Sequence, residues 1–251
     1  MDLGLNGRTV IVTGASGGIG REIARGYAAE GADVVLTYRS SREDVETLAK
    51  EIGERALVVP YELGDAASAD ALVSAALDWT GRIDLLVNNA LRASGWTPSP
   101  DHVFEDVADE EWLEVLRRNI EGYIGLSRLV APVMRGRRFG RLVHISSGLV
   151  VEGMIGAEYY TAAKAALHGF NRSAAFSLGK DGDILSNVVM PGLTTTARNG
   201  ERIGPISHVY SDRAPVRRLL GAAEVANAVV YLGSAANTGI TGQAISVTGG
   251  V

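Results

Sequence analysis

The chain has 251 residues, with 24 basic and 29 acidic side chains and no cysteine. A net charge of −5 argues against broad electrostatic capture of nucleic acid. The missing cysteines exclude disulfides, thiolate nucleophiles and cysteine-ligated zinc. From the N-terminus, the apolar run Thr9–Thr13 predicts a strand that stops at glycine. Gly18–Glu30 follows with helical spacing, placing Ile19, Ile23, Ala24 and Tyr27 on one side. Asp33–Tyr38 predicts a second strand, Glu43–Ile52 a helix and Ala56–Pro60 a third strand. Ala66–Trp79 is an alanine-rich helix and Ile83–Asn88 a fourth strand. Prolines, Gly95 and serines make 91–108 a loop. Glu110–Met134 is a long amphipathic helix, Arg141–Ser146 a fifth strand, Glu158–Leu178 a helix and Ile184–Met190 a sixth strand. No clear periodicity runs from Pro191 to about Arg217; Ala223–Gly233 is helical and Gln243–Val247 a last strand.

The strands are continuous apolar runs that alternate with helices, the pattern of a parallel sheet buried on both faces. The expected fold class is therefore α/β, a Rossmann-like doubly wound sheet of about seven strands. One domain is expected over 1–251, with a cofactor-binding half to about 150 and a catalytic and flap half after it. The N-terminal residues lack the apolar core of a secretion signal, and no run is long enough to span a membrane. A cytoplasmic protein is expected. His102, His144, His168 and His208 are scattered without metal-ligand spacing, so no metal site is expected.

Thr13–Gly20 (TGASGGIG) joins the first strand to the first helix. Glycines there permit a tight turn and close backbone approach to a phosphate, while the helix start offers unpaired N–H groups. The loop alone is a weak signal, since a structural turn is an equal reading; its place at a strand–helix junction strengthens it. At the end of the second strand, an acid would bind the ribose hydroxyls and repel a 2′-phosphate. Tyr38 stands there, followed by Arg39 and Ser40, which can pair with and hydrogen-bond that phosphate. NADPH is expected over NADH.

With these residues in view, the chain resembles the short-chain dehydrogenases/reductases over nearly its whole length. Thr13–Gly20 is similar to their TGxxxGxG loop, Asn88-Asn89-Ala90 to the start of NNAG, and Asn119 to their helix asparagine. Ser147 lies thirteen residues before Tyr160, Tyr160–Lys164 is similar to YxxxK, and Pro191-Gly192 with Thr196 to PGxxxT. The resemblance implies Tyr160 as proton donor, Ser147 as holder of the carbonyl, Lys164 on the nicotinamide ribose, and Asn119 positioning a water that returns a proton through the lysine. It also implies cofactor contacts at Gly14, Ser16, Gly18, Ile19, Gly20, Arg39, Ser40, Glu62, Leu63, Asn89, Ala90, Tyr160, Lys164, Pro191, Gly192 and Thr196. Three positions depart from the family: Leu91 replaces a glycine, Gly17 stands where many NADP-using members are basic, and Glu62-Leu63 replaces an Asp-Val pair.

Tyr160 and Lys164 are spaced i, i+4, so both lie on one helix face. A nearby ammonium and an oxidised nicotinamide would lower the phenol's pKa from its usual value of about 10. Ser146 and Tyr159 compete with Ser147 and Tyr160; the family spacing favours Ser147, and only Tyr160 has a lysine four residues on. His144 is expected to be a buried strand residue and His168 an interface or surface residue.

Residues 193–217, with Arg198, Arg202, His208, Tyr210 and Arg213, are expected to form a mobile flap over the substrate, facing a wall at 91–104 with Leu91, Trp96, Val103 and Phe104. Within the family the pattern is similar to 3-oxoacyl thioester (3-oxoacyl-ACP) reductases. That implies a carrier-bound or small-molecule ketone and a possible acyl carrier protein partner held by the basic run Met134–Arg141, Arg138 above all. Asp181 stands at a second position where carrier-dependent relatives are basic. The alternatives are a reductase for another carbonyl, alcohol or enone, and a nucleotide-sensing module without chemistry. A homotetramer joined through the two long helices is implied by the resemblance, with Leu167, Phe170, Ala174 and Phe176 as apolar positions for burial.

Overall fold

The alternation of apolar strand and amphipathic helix closes into one seven-stranded parallel sheet. A computed structural model describes residues 1–92, 101 and 103–251. The strands are β1 (Thr9–Val12), β2 (Asp33–Tyr38), β3 (Ala56–Pro60), β4 (Leu85–Asn88), β5 (Phe139–Ile145), β6 (Asp183–Pro191), β7 (Thr194–Thr195), β8 (Leu220–Gly221) and β9 (Ala244–Val247). The sheet order is β3-β2-β1-β4-β5-β6-β9, and β7 pairs with β8 in a separate short ladder. Chain direction across the sheet therefore reverses between β1 and β4, which opens a crevice at the carboxyl ends of those strands.

The helices are α1 (Gly18–Ala29), α2 (Arg42–Ile52), α3 (Ala66–Thr80), α4 (Asp109–Arg137), α5 (Leu149–Glu152), α6 (Glu158–Gly179), α7 (Gly200–Arg213) and α8 (Ala222–Gly233). Successive side chains of a strand point to opposite faces, so each strand feeds two cores. Val10 and Val12 of β1 pack with Ile23 and Tyr27 of α1 and Val229 of α8. Ile11, between them, packs on the other face with Leu72 of α3, Tyr123 and Leu126 of α4, and Leu167 of α6. Burying each such aliphatic side chain contributes about 1.5–3 kcal/mol.

Two readings change here. The stretch after Pro191 contains a helix, α7, which Gly200, Gly204 and Pro205 obscure because each lowers intrinsic helix propensity. Arg141, the last cation of the basic run, is fully buried rather than displayed. Its guanidinium donates to the carbonyls of Gly140, Asp183, Ser234 and Asn237 and pairs with the Asp183 carboxylate at 2.9 Å. It ties β5 and β6 to the end of α8.

Candidate active site

The sheet brings the glycine loop, the strand ends and the start of α6 around a single cavity of about 640 Å³. Behind the cavity wall, buried Thr13 holds the glycine loop to the β4 end. Its Oγ1 accepts from the backbone of Asn89 at 2.8 Å and Ala90 at 3.0 Å and donates to Val87. The Asn89 side chain donates to the carbonyls of Thr13 and Gly14. Gly14 has φ +68°, and an added Cβ would meet Ala90 Cα at 3.0 Å; at Gly20 it would meet the Gly14 carbonyl at 2.3 Å. Gly18, at φ +58°, faces open space. Helix α1 starts behind this loop with no side-chain cap, leaving its first N–H groups for a ligand.

Fifteen of the sixteen positions expected to touch the cofactor line this cavity, from the loop through Arg39, Ser40, Glu62 and Leu63 to Tyr160, Lys164 and Thr196. Gly20 instead lies under the loop, where it lets Gly14 and Asn89 approach. Leu91 lines the wall and is half exposed. Trp96 and His102 lie outside the described residues. Arg198 and Arg202 of the expected flap also line the cavity, as do Thr37, Tyr61 and Arg92, which carry no sequence signal of their own. Arg39 sits 3.9 Å from Glu62.

The serine pair divides cleanly. Ser146 Oγ donates to the Lys164 carbonyl at 3.1 Å and contacts His168 Nε2 at 2.9 Å. His168 is therefore a partner of Ser146, not a free surface group. Ser147 Oγ accepts from Leu149 N and hydrogen-bonds the Tyr160 hydroxyl. Tyr159 turns away, donating to the Phe104 carbonyl and stacking on Trp112. Burial holds the Tyr160 phenol above its ordinary pKa, with the Ser147 hydrogen bond opposing that rise. The phenol is thus held toward its protonated form, and Lys164 Nζ lies 6.0 Å from its ring centre.

Lys164 is buried, and burial lowers its pKa to about 7. Its Nζ donates to the Ile145 carbonyl at 2.8 Å and to the Tyr123 hydroxyl at 3.1 Å, leaving one of three N–H bonds for the cavity it lines. Tyr123 passes the bond on to the Ala90 carbonyl at 2.9 Å. Asn119, expected to position a water near this lysine, is buried on α4. Its side chain donates to the carbonyls of Arg92 and Val115 and accepts from Arg92 N. Tyr123 is one helical turn beyond Asn119 on α4, and that i, i+4 spacing was the available signal for it. His144, behind the lysine, is buried, bonded to Asn88 and driven to a pKa of about 3 by burial and then by Lys164.

A glycine loop on an uncapped helix, set at the reversal point of a parallel sheet and facing a Ser–Tyr–Lys cluster, defines a dinucleotide-dependent oxidoreductase. The cradle fits that cofactor: Cβ atoms are excluded where its backbone must turn and approach, and the cavity runs unbroken from Arg39 to Tyr160. Known proteins agree. The family profile described as enoyl-(acyl carrier protein) reductase matches residues 14–251. Nodulation protein G of Rhizobium sp. (strain N33) is 38% identical over 98% of both chains. The 3-oxoacyl-(acyl-carrier-protein) reductase FabG of Escherichia coli (strain K12) is 35% identical over 99% of both. A solved short chain dehydrogenase/reductase family protein superposes with a TM-score of 0.86 at 35% identity, covering 100% of this chain and 98% of its own. The chain belongs to the short-chain dehydrogenase/reductase family and is an NAD(P)-dependent oxidoreductase. Among the described residues, no helix is long and apolar enough to cross a membrane, and no group of three or more acidic or histidine side chains is placed to hold a metal ion.

Proposed function

We propose that this protein uses NADPH to reduce a ketone to a secondary alcohol, with a 3-oxoacyl thioester as substrate. The observation that carries this is the buried Tyr160 hydroxyl, kept protonated and bonded to Ser147 at the inner end of the cofactor cavity. The bound cofactor supplies the hydride to the carbonyl carbon. Ser147 donates a hydrogen bond that holds and polarises the carbonyl oxygen, and Tyr160 gives that oxygen its proton. Lys164 directs its remaining N–H toward the nicotinamide ribose. Arg39 and Ser40 read the adenosine 2′-phosphate, Arg39 exchanging Glu62 for it.

The thioester reading rests on the 3-oxoacyl reductase relative. The family profile instead names an enoyl reductase, whose substrate is reduced at a carbon–carbon double bond. The Ser147–Tyr160 pair suits the ketone, because an alkoxide forming on the reacting carbon itself takes both a hydrogen bond and a proton there. Carrier recognition is the finer question. Arg138 is exposed and, among the described residues, has no side-chain partner, whereas Arg135 is paired with Asp181 and Arg137 bonds Gly81. Arg138 and Ser147 stand at opposite ends of β5, about 30 Å of extended chain apart. A carrier gripped by Arg138 would therefore serve the pocket of a neighbouring copy. On α6, Leu167 and Ala174 are already buried in this chain's own core, and Phe170 packs against it, while Phe176 is 71% exposed. A homotetramer through α4 and α6 would thus close on Phe176, which sedimentation of the wild type and Phe176→Ser would test.

The deciding experiment follows loss of NADPH absorbance with a short 3-oxoacyl thioester, an enoyl thioester and a simple ketone. Turnover of the oxoacyl thioester alone supports the proposal. Turnover of the enoyl thioester alone overturns it. Arg138→Glu, assayed with carrier-bound and coenzyme A-bound forms, loses only the carrier-bound reaction if Arg138 holds the carrier.

A further inference from the structure

The cofactor loop carries no cation of its own at Gly17, yet a guanidinium lies on it. A Cβ built at Gly17 would fall 2.5 Å from Cζ and Nε of Arg198 and 2.7 Å from Nη1. Arg198 thus fills the space in which a side chain at position 17 would begin, although it comes from the segment before α7. Its Nη2 donates to the Ser16 carbonyl at 2.9 Å and forms an ion pair with Asp44. Both bonds are made by Nη2, so Nε and Nη1 remain against the loop. Asp44 lies in the first turn of α2, three residues beyond Ser41. This fixes the guanidinium at the end of the cavity bounded by Gly17, Arg39 and Ser40, all of which line it with Arg198.

We propose that Arg198 is a specificity-determining residue that reads the cofactor's adenosine 2′-phosphate together with Arg39. The flap and the choice of cofactor would then be one device. A phosphate arriving at this end would meet Arg198 on the glycine loop and Arg39 at the end of β2. Each is held by a single carboxylate, Glu62 for Arg39 and Asp44 for Arg198. A dianionic phosphate offers stronger paired acceptors than either exposed carboxylate. Engaging it holds the segment bearing Arg198 on the cofactor loop, where that side chain already lies. The inference rests on the proposed preference for NADPH and names the residue from which that preference comes.

The test is binding, measured by calorimetry with adenosine 2′,5′-bisphosphate and adenosine 5′-monophosphate, neither of which contains the nicotinamide. The wild type is expected to favour the bisphosphate. Arg198→Ala is expected to weaken the bisphosphate about tenfold and the monophosphate little. Asp44→Asn separates phosphate reading from a mere structural latch between α2 and the flap. If Arg198 reads the phosphate, removing its competitor leaves bisphosphate binding unchanged or tighter. If the pair is only a latch, Asp44→Asn and Arg198→Ala weaken binding alike, which overturns the inference. Gly17→Arg placed in the Arg198→Ala background should restore the lost preference. A wild type with equal affinity for both ligands overturns the NADPH reading and this inference with it. A wild-type preference that survives Arg198→Ala but is lost in Arg39→Ala overturns this inference alone.

Discussion

The two ends of the cofactor cavity are built on opposite electrostatic terms. At the inner end, Ser147 and Lys164 are buried and Tyr160 half-buried, and the ammonium bonds a phenol and a carbonyl. At the outer end, Arg39 and Arg198 are each about half exposed and already sit beside carboxylates. Poor solvation shifts pKa values at the inner end, so single hydroxyl groups there decide protonation. At the outer end water and salt screen each pair, so affinity is spread over several weak contacts. On the proposed function, one end would move a proton and the other hold an exchangeable anion.

The sharpest way to break this contrast is Tyr160→Phe. Ketone reduction is expected to fall about a thousandfold while NADPH affinity stays level, since the ring is kept and only the proton donor is lost. Retained turnover would show that the inner end does not depend on this hydroxyl.

Next in size is the linkage between Lys164 and stability. In the folded chain Lys164 loses its proton near pH 7, against 10.5 ordinarily. Between those values the unfolded chain binds the extra proton, so stability rises with pH across that window and is lowest below pH 7. Urea unfolding from pH 7 to 9 should show a gain on the order of 2 kcal/mol in the wild type. The gain should be absent in Lys164→Met; equal slopes would mean the lysine is not held in a poorly solvated site.

Tyr123→Phe is expected to act more gently. Removing the acceptor at 3.1 Å takes a hydrogen bond from the charged lysine, so its titration should move about one unit further down. The corresponding limb of the kcat/KM profile against pH should move with it, whereas a purely packing role would leave the profile in place. The smallest effect belongs to the outer end. Arg39→Ala should weaken NADPH about fivefold at low salt, with NADH unaffected, and the difference should shrink in high salt because the group is exposed. A salt-independent loss would place Arg39 in a buried contact and erase the contrast.

Much of the architecture was legible in the chain. Asp33–Tyr38 and Ala56–Pro60 form strands with the bounds read from their apolar runs, and the long helices differ by a few residues at their ends. These features are local, because burial on both faces writes itself as an unbroken apolar run and burial on one face as a period of 3.6. The spacing of Ser147, Tyr160 and Lys164 was equally readable. What sequence could not supply was each side chain's partner. In the run Met134–Arg141 the strand start sets Arg141 apart from Arg138, but not its partners, the carbonyls of Asp183, Ser234 and Asn237 that only folding brings near.

The same holds at the site. Sequence determined the parallel sheet, the phosphate loop and the Tyr–Lys pair, all set by periodicity or by fixed spacing along one element. Tertiary structure alone decided that Tyr123 meets Lys164, that Ser146 turns to His168, and that Arg198 covers Gly17. Each of these contacts joins segments far apart in the chain, and such contacts follow from how the elements pack, not from any pattern within one of them.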